Sequence, residues 1–179
     1  MINSAYQEVI EREIVLVRVF DAPREKVFDA WTNPESIGQW FGPNGFTIET
    51  RSMSLVKGGS WHFEMIAPDG HRFINRMTFL EIIRPSRLVL DLGSDVEDDH
   101  HQFRVTITLD DQSDGKSVLT MRQLHVSPER RVEAIGFGAV ELGLQTLDKL
   151  AALLNEAAKV IQGSEEPDRV ASTRRKNGR

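Results

Sequence analysis

The chain lacks cysteine altogether, and this absence excludes disulfides, thiol nucleophiles and metal sites built on thiolates. No apolar run approaches the ~18 residues that a membrane-spanning helix needs. The N-terminal residues contain neither the basic region nor the apolar core of a signal peptide. From these absences we predict a cytoplasmic protein that does not insert into membranes.

Sequence motifs for nucleotide binding, zinc-dependent proteolysis and serine hydrolysis are also missing. The chain contains no GxGxxG, GxxxxGK(S/T), HExxH or GxSxG. The acidic loop from Asp95 to His101 does not predict a metal site either, because the adjacent His100 and His101 would point to opposite faces of a strand. The loop also lacks the ligand spacing and the glycine of a calcium loop. We therefore expect no metal and no cofactor, and no residue is evident for covalent catalysis.

Charge is unevenly distributed along the chain, whose net charge is −5. The acidic excess lies in residues 1–163, and the last residues, 164–179, carry a basic excess. Because binding to phosphates requires a basic face, nucleic acid is not expected as a partner. The polar composition of 164–179 predicts a disordered tail. We divide the chain into an extension (1–12), one domain (13–163) and this tail.

Hydrophobic periodicity predicts a strand, two helices, six further strands and one long helix. The first strand is Glu13 to Phe20, and a helix opens near Pro23. Asn33 and Pro34 give a short second helix its cap and first residue, and Gly42-Pro43 ends it. The remaining strands are predicted at 46–52, 60–66, 71–83, 87–92, 102–109 and 117–126. The register of strand 71–83 stays open, because both of its faces are mixed.

The long helix begins at the Ser127-Pro128-Glu129 cap and is predicted to end near Gly163. Hairpin-length links between the strands imply antiparallel neighbours. Such a sheet must cover its apolar face, and the long C-terminal helix is the only large element available for this. The fold class is therefore α+β, with a curved antiparallel sheet around the helix.

A cavity between the sheet and the helix is one interpretation of the inward side chains. Trp61, Phe63 and Met65 share one face of their strand, and Phe103 shares a face of another with its apolar neighbours. The first half of the helix opposite them is poor in volume, with Gly136, Gly138, Ala139 and Gly143. Large rings that face small residues form either a dense core or a ligand cavity. In the same way, the short helix with Trp40 and Phe41 is either a plug in the core or a lid.

Polar residues occupy both faces of the predicted strands. Gln123 and His125 lie on the inward register, where they either anchor the polar group of a ligand or simply form buried hydrogen bonds. His125 is also a candidate for proton transfer. His62 and Glu64 occupy the register opposite the aromatic residues, which places them on the outer, solvated face.

Several stretches of the chain resemble one known superfamily. They are 18–35, Trp40-Phe41-Gly42-Pro43, Pro68-Asp69-Gly70, Phe79-Leu80-Glu81-Ile82, 138–141 and 145–147. The chain resembles the START-like (SRPBCC) superfamily, and within it the single-domain homologues of the activator of heat-shock-protein-90 ATPase. The motif Trp40-Phe41-Gly42-Pro43 replaces the commoner Trp-Trp-Gly-Pro. The resemblance implies a helix-grip fold with a deep apolar cavity, and it implies no universal set of catalytic residues.

We predict that the protein binds a hydrophobic small molecule in this cavity, as a monomer or a homodimer. The predicted cavity residues are Trp40, Phe41, Trp61, Phe63, Met65, Met77, Phe103, Met121, Gln123, His125 and Phe137. Two alternatives stay open. One is a cyclase- or hydrolase-like enzyme that uses His125 with Asn75, Arg76 or Glu81. The other is a co-chaperone or stress-response partner, which only the resemblance suggests.

Overall fold

The protein folds as an open antiparallel sheet with a long C-terminal helix, in a computed structural model that describes residues 4–97 and 99–174. Side chains are described for 8–97 and 99–159. The helices are α1 (Ser4–Arg12), α2 (Arg24–Thr32), α3 (Pro34–Trp40), α4 (Pro128–Gly136) and α5 (Ala139–Arg174). The strands are β1 (Glu13–Phe20), β2 (Thr47–Met53), β3 (Ser60–Ile66), β4 (Arg72–Ile83), β5 (Arg87–Ser94), β6 (Phe103–Asp111) and β7 (Ser117–Leu124).

The strands form one seven-stranded sheet in the order β1-β7-β6-β5-β4-β3-β2. Every neighbouring pair is antiparallel. The sheet is curved, and α5 covers its apolar face, with Leu147 and Leu150 fully buried. This arrangement confirms the predicted α+β helix-grip fold.

The short aromatic helix α3 forms as its capping residues predict. The Asn33 side chain accepts a hydrogen bond from the Glu35 N–H at 2.9 Å, and Pro34 occupies the first turn. The helix ends at Trp40, and the Phe41 N–H still donates to the Ile37 carbonyl. The cap and the end of the helix together fix which way Trp40 and Phe41 point.

The predicted long C-terminal helix is confirmed as α5, but its predicted start after Ser127 is wrong, because a separate short helix, α4, occupies those residues. The Ser127 cap is correct, and its side chain accepts a hydrogen bond from the Arg130 N–H. The break falls at Gly138, whose φ of +96° lies in the left-handed region that glycine adopts with little strain. The helix end predicted near Gly163 is also wrong, since α5 continues to Arg174. The final residues of the predicted tail, 175–179, lie outside the described residues.

The predicted N-terminal extension contains helix α1, which is fastened to the end of β7. The His125 N–H donates to the Arg12 carbonyl, and Arg12 Nη1 donates to the Val126 carbonyl. The division into extension, domain and tail stays a prediction. In the described part of the chain, no helix is both long and apolar enough to cross a membrane.

The outer face of the sheet carries ion pairs, as the register of β3 predicts. Glu64 accepts hydrogen bonds from Arg51 and Arg72. Both bonds lower the pKa of the Glu64 carboxyl, and the bond from Arg72 has the larger effect. His62 Nδ1 lies 2.7 Å from Asp95 Oδ2. His62 and Glu64 therefore lie on the face opposite the aromatic core, as predicted, but Glu64 is only 7% exposed, so its predicted solvated position is wrong.

The structure also determines the register of β4, which the sequence left open. Met77 is buried opposite Trp61 of β3, whereas Arg76 points outward, with Nη1 3.5 Å from Asp95 Oδ1. A bulge between Phe79 and Glu81 then shifts the alternation. This shift explains why both faces of the strand looked mixed in the sequence.

Candidate functional site

The sheet and α5 enclose an open cavity of about 330 Å³, at the small end of the usual range for ligand pockets. Its walls come from β3 to β7, the loop after α3 and the start of α5. Predicted residues that line it are Phe41, Met65, Met77, Phe103, Met121, Gln123 and Phe137. Apolar lining residues that the sequence analysis missed include Trp31, Phe46, Phe73, Leu90, Leu92 and Leu142. The role of these residues in binding stays a prediction.

Three predicted wall residues pack into the core and do not line the cavity. Trp40 is buried and donates its indole N–H to the Ala30 carbonyl at 3.1 Å. Trp61 and Phe63 are also buried, with ring centroids 3.9 Å apart. Strand alternation identifies the inward face but not the depth at which a side chain lies, which is why their placement at the cavity is wrong.

Helix α3 and the residue after it therefore serve both as plug and as wall. Phe41 lies between the core rings and the cavity, with ring centroids 5.7 Å from Trp40, 5.3 Å from Trp61 and 5.6 Å from Phe63. All these ring pairs meet edge to face, which is a favourable aromatic geometry. Trp40 is thus buried in the core, and Phe41 forms part of the cavity wall.

His125 lies outside the cavity, contrary to the prediction that it anchors a ligand there. It lines a second, polar depression of about 280 Å³ together with Arg12, Asp91 and Arg104. The reason is that β7 ends at Leu124, so the inward alternation that holds at Gln123 does not reach His125. Phe103 lines both pockets and stacks on the imidazole.

The imidazole of His125 is buried and lies near a positive charge. The residue is only 6% exposed, and Nε2 has no hydrogen-bond partner among the described residues. Burial lowers the pKa of His125, and the nearby Arg131 guanidinium lowers it further. Both effects favour the neutral form of the imidazole.

The cavity contains few polar groups, and two of them are already bonded to backbone. Thr146 Oγ1 donates to the Leu142 carbonyl at 2.9 Å, and Asn75 Nδ2 donates to the Phe73 carbonyl at 2.8 Å. Within the described residues, none of the side chains that line the cavity is ionisable. The enzyme alternative loses three of its four groups, because His125, Arg76 and Glu81 lie outside the lining; Arg76 pairs with Asp95, and Glu81 pairs with Arg87.

Gln123 is the remaining polar group, and it faces α5 at Gly143. Its Nε2 lies 3.9 Å from the position that a Cβ on Gly143 would occupy. That Cβ would also come within 2.6 Å of Leu16 Cδ1. Gly143 therefore lets the helix approach the sheet closely, whereas an added Cβ on Gly136 would meet nothing within 4 Å. Close packing therefore explains the glycine at position 143 but not the one at position 136.

One side of the cavity mouth is held by hydrogen bonds, and the other side is exposed to solvent. The loop after α3 is tied to α5 by two hydrogen bonds of 3.2 Å, from Lys149 Nζ to the Gly42 carbonyl and from the Asn44 N–H to Gln145 Oε1. Burial lowers the pKa of Lys149. On the other side, Phe137 lies at the break between α4 and α5, and the residue is 80% exposed.

A curved antiparallel sheet that grips a C-terminal helix, with an apolar cavity between them, defines a START-like protein. Residues 21–155 match the family described as "Activator of Hsp90 ATPase homolog 1-like protein". Because this match covers most of the chain, the protein belongs to that family. None of the curated proteins matches the chain.

Solved structures from several bacteria share the fold. A Nitrosomonas europaea protein is 26% identical with a TM-score of 0.75, covering 83% of this chain and 97% of its own. A Chromobacterium violaceum protein is 29% identical with a TM-score of 0.67, covering 79% and 96%. An AHSA1 protein from Silicibacter pomeroyi is 20% identical with a TM-score of 0.65, covering 81% and 99%. The last of these shows likeness of fold alone.

Proposed function

We propose that the protein binds a hydrophobic small molecule in the cavity between the sheet and α5. The observation that carries this proposal is the lining itself, an open space of about 330 Å³ surrounded almost wholly by apolar and aromatic side chains. Close-packed interiors contain few voids larger than a water molecule. An open apolar cavity of this size is typical of a small-molecule site.

The chemistry of the lining supports binding without turnover. General acid–base catalysis requires a titratable group within hydrogen-bond reach of the substrate. The polar lining residues are Asn75, Gln123 and Thr146, whose side chains do not titrate near neutral pH.

The cytoplasmic location and the monomeric or dimeric state stay predictions from the sequence.

Native mass spectrometry of protein purified from its own host tests the proposal. The wild-type protein is expected to carry a co-purifying small molecule. Ala139→Phe should remove this molecule, because Ala139 lines the cavity and the added ring would occupy it. The matched control is Val140→Phe, on the next residue of the helix, which does not line the cavity.

Thermal unfolding of both variants establishes that they fold. A wild-type protein without any bound molecule, in a preparation that also fails to bind added apolar compounds, would contradict the proposal. Equal loss of the molecule from both variants would also count against the cavity as its location.

A further inference from the structure

We infer that the cavity selects an uncharged ligand with an apolar body and one hydrogen-bonding group, which the Gln123 amide receives. This inference rests on the proposed function and adds to it the class of ligand. Three observations support it: the lack of charge in the lining, the unpartnered amide, and the occupation of the other polar groups.

The lining provides no counter-charge for an ionised ligand. Across the described residues, the side chains that surround the cavity are all neutral. Lys149 reaches the rim, but its ammonium group donates to the Gly42 carbonyl and does not line the cavity. An ion moved from water into such a site loses its hydration without gaining a partner, which is strongly unfavourable. A neutral ligand incurs no such cost.

Gln123 presents an amide that nothing in the described structure satisfies. The residue is 8% exposed, and no described group forms a hydrogen bond with its side chain. Its neighbours on the adjoining strands are Ile14 of β1 and Val105 of β6, which offer only apolar side chains. Buried polar side chains nearly always have a partner. A ligand group at this position would supply the missing one.

The other polar groups of the cavity are less suited to this role. Thr146 donates its hydroxyl to its own helix, and the Asn75 amide nitrogen is bonded to its own strand. Trp31 also has an indole N–H without a described partner, but surrounding atoms cover this nitrogen. The Gln123 amide carries both a donor and an acceptor. It can therefore receive a carbonyl, a hydroxyl or an amide.

Three compact probes with one ring system separate these contributions. They are 2-acetylnaphthalene, which is a neutral ketone, 2-ethylnaphthalene, which has no polar group, and 2-naphthoate, which is ionised at neutral pH. Dissociation constants are measured by calorimetry for the wild type, Gln123→Leu and Met121→Leu. The leucine at 123 keeps a similar volume without a hydrogen-bonding group, and Met121→Leu is a volume-conserving control in the same wall.

The wild type should bind the ketone at least tenfold more tightly than the carboxylate. In Gln123→Leu, the affinity for the ketone relative to the ethyl compound should fall about tenfold, the effect of one hydrogen bond. In Met121→Leu this ratio should stay unchanged. Thermal unfolding confirms that each variant is folded, and the ratio itself cancels any general change in the cavity.

Two results would overturn the inference while leaving the proposed function in place. One is an unchanged ketone-to-ethyl ratio in Gln123→Leu, and the other is a carboxylate that binds as tightly as the ketone. A wild-type protein that binds none of the three probes counts against the proposed function itself, and the inference falls with it.

Discussion

The ring of Phe103 stacks on the imidazole of His125, with centroids 5.0 Å apart and planes inclined by 26°. Phe103 is shared by the apolar cavity and the polar depression, whereas His125 lines only the depression. The imidazole is thus one ring away from the cavity and makes no contact with its interior. Its protonation should affect the stability of the fold more than the chemistry of the cavity.

His125 should make the protein less stable in mild acid. Its pKa is lowered in the folded state, so below the unfolded value of ~6.5 the unfolded chain binds more protons than the folded protein. The free energy of unfolding should therefore fall as the pH drops from about 6.5 towards the lowered pKa, and this contribution levels off below it. Denaturant unfolding at several pH values measures the slope. His125→Asn should reduce the slope, and the exposed control His71→Asn should keep it.

Gly138 should be required for the break between α4 and α5. We expect Gly138→Ala to destabilise the protein by about 1 kcal/mol, because an alanine at a φ of +96° is strained. Gly136→Ala is the matched control: its site is helical and open, so the change should stabilise by up to ~1 kcal/mol. Chemical denaturation measures both. Effects of the same sign in the two variants would contradict the assignment of the break to Gly138.

Substitutions at Trp40 and Phe41 should distinguish effects on the stability of the fold from effects on ligand binding. Trp40→Phe removes the hydrogen bond to the buried Ala30 carbonyl and should cost about 2 kcal/mol, with little effect on ligand affinity. Phe41→Leu alters the wall of the cavity and should change affinity for an apolar probe as well as stability. Calorimetric titration alongside unfolding measures the two properties. A loss of affinity in Trp40→Phe as large as that in Phe41→Leu would be inconsistent with a buried plug.

The loop after α3 should depend on its two hydrogen bonds to α5. Gln145→Ala removes the acceptor of the Asn44 N–H, so the exchange of this amide with solvent should become about tenfold faster. Lys149→Met releases the Gly42 carbonyl and should accelerate exchange in the same loop. Hydrogen exchange followed by NMR resolves these amides. The exposed Lys57→Met serves as the control and should leave their exchange unchanged.

The sequence predicted those parts of the fold that short-range physics determines. The Asn33 cap, Pro34 at the first turn and the alternation from Ser60 to Phe63 in β3 each depend on neighbouring residues, and each forms as predicted. The bulge after Phe79 was not predictable in the same way, because both periodic faces of β4 change there. The break at Gly138 also escaped, since a glycine inside a helical pattern does not reveal its φ.

The site was harder to predict than the fold because it depends on depth and on strand ends. Phe63 and Met65 share a face of β3, but only Met65 lines the cavity. Gln123 and His125 share a register, but β7 ends between them. The sequence places side chains on faces, whereas the curvature of the sheet and the position of α5 decide which of them meet empty space.

The exposed ring of Phe137 can be replaced during evolution with little effect on the fold. Phe137 borders the mouth of the cavity with most of its side chain in solvent, so its replacement should change stability by no more than about 0.5 kcal/mol. The core rings Trp40, Trp61 and Phe63 lie elsewhere and are buried. Access to the cavity and integrity of the fold therefore reside in separate residues. In related chains, a different residue at position 137 can therefore change which molecules enter the cavity without changing the stability of the fold.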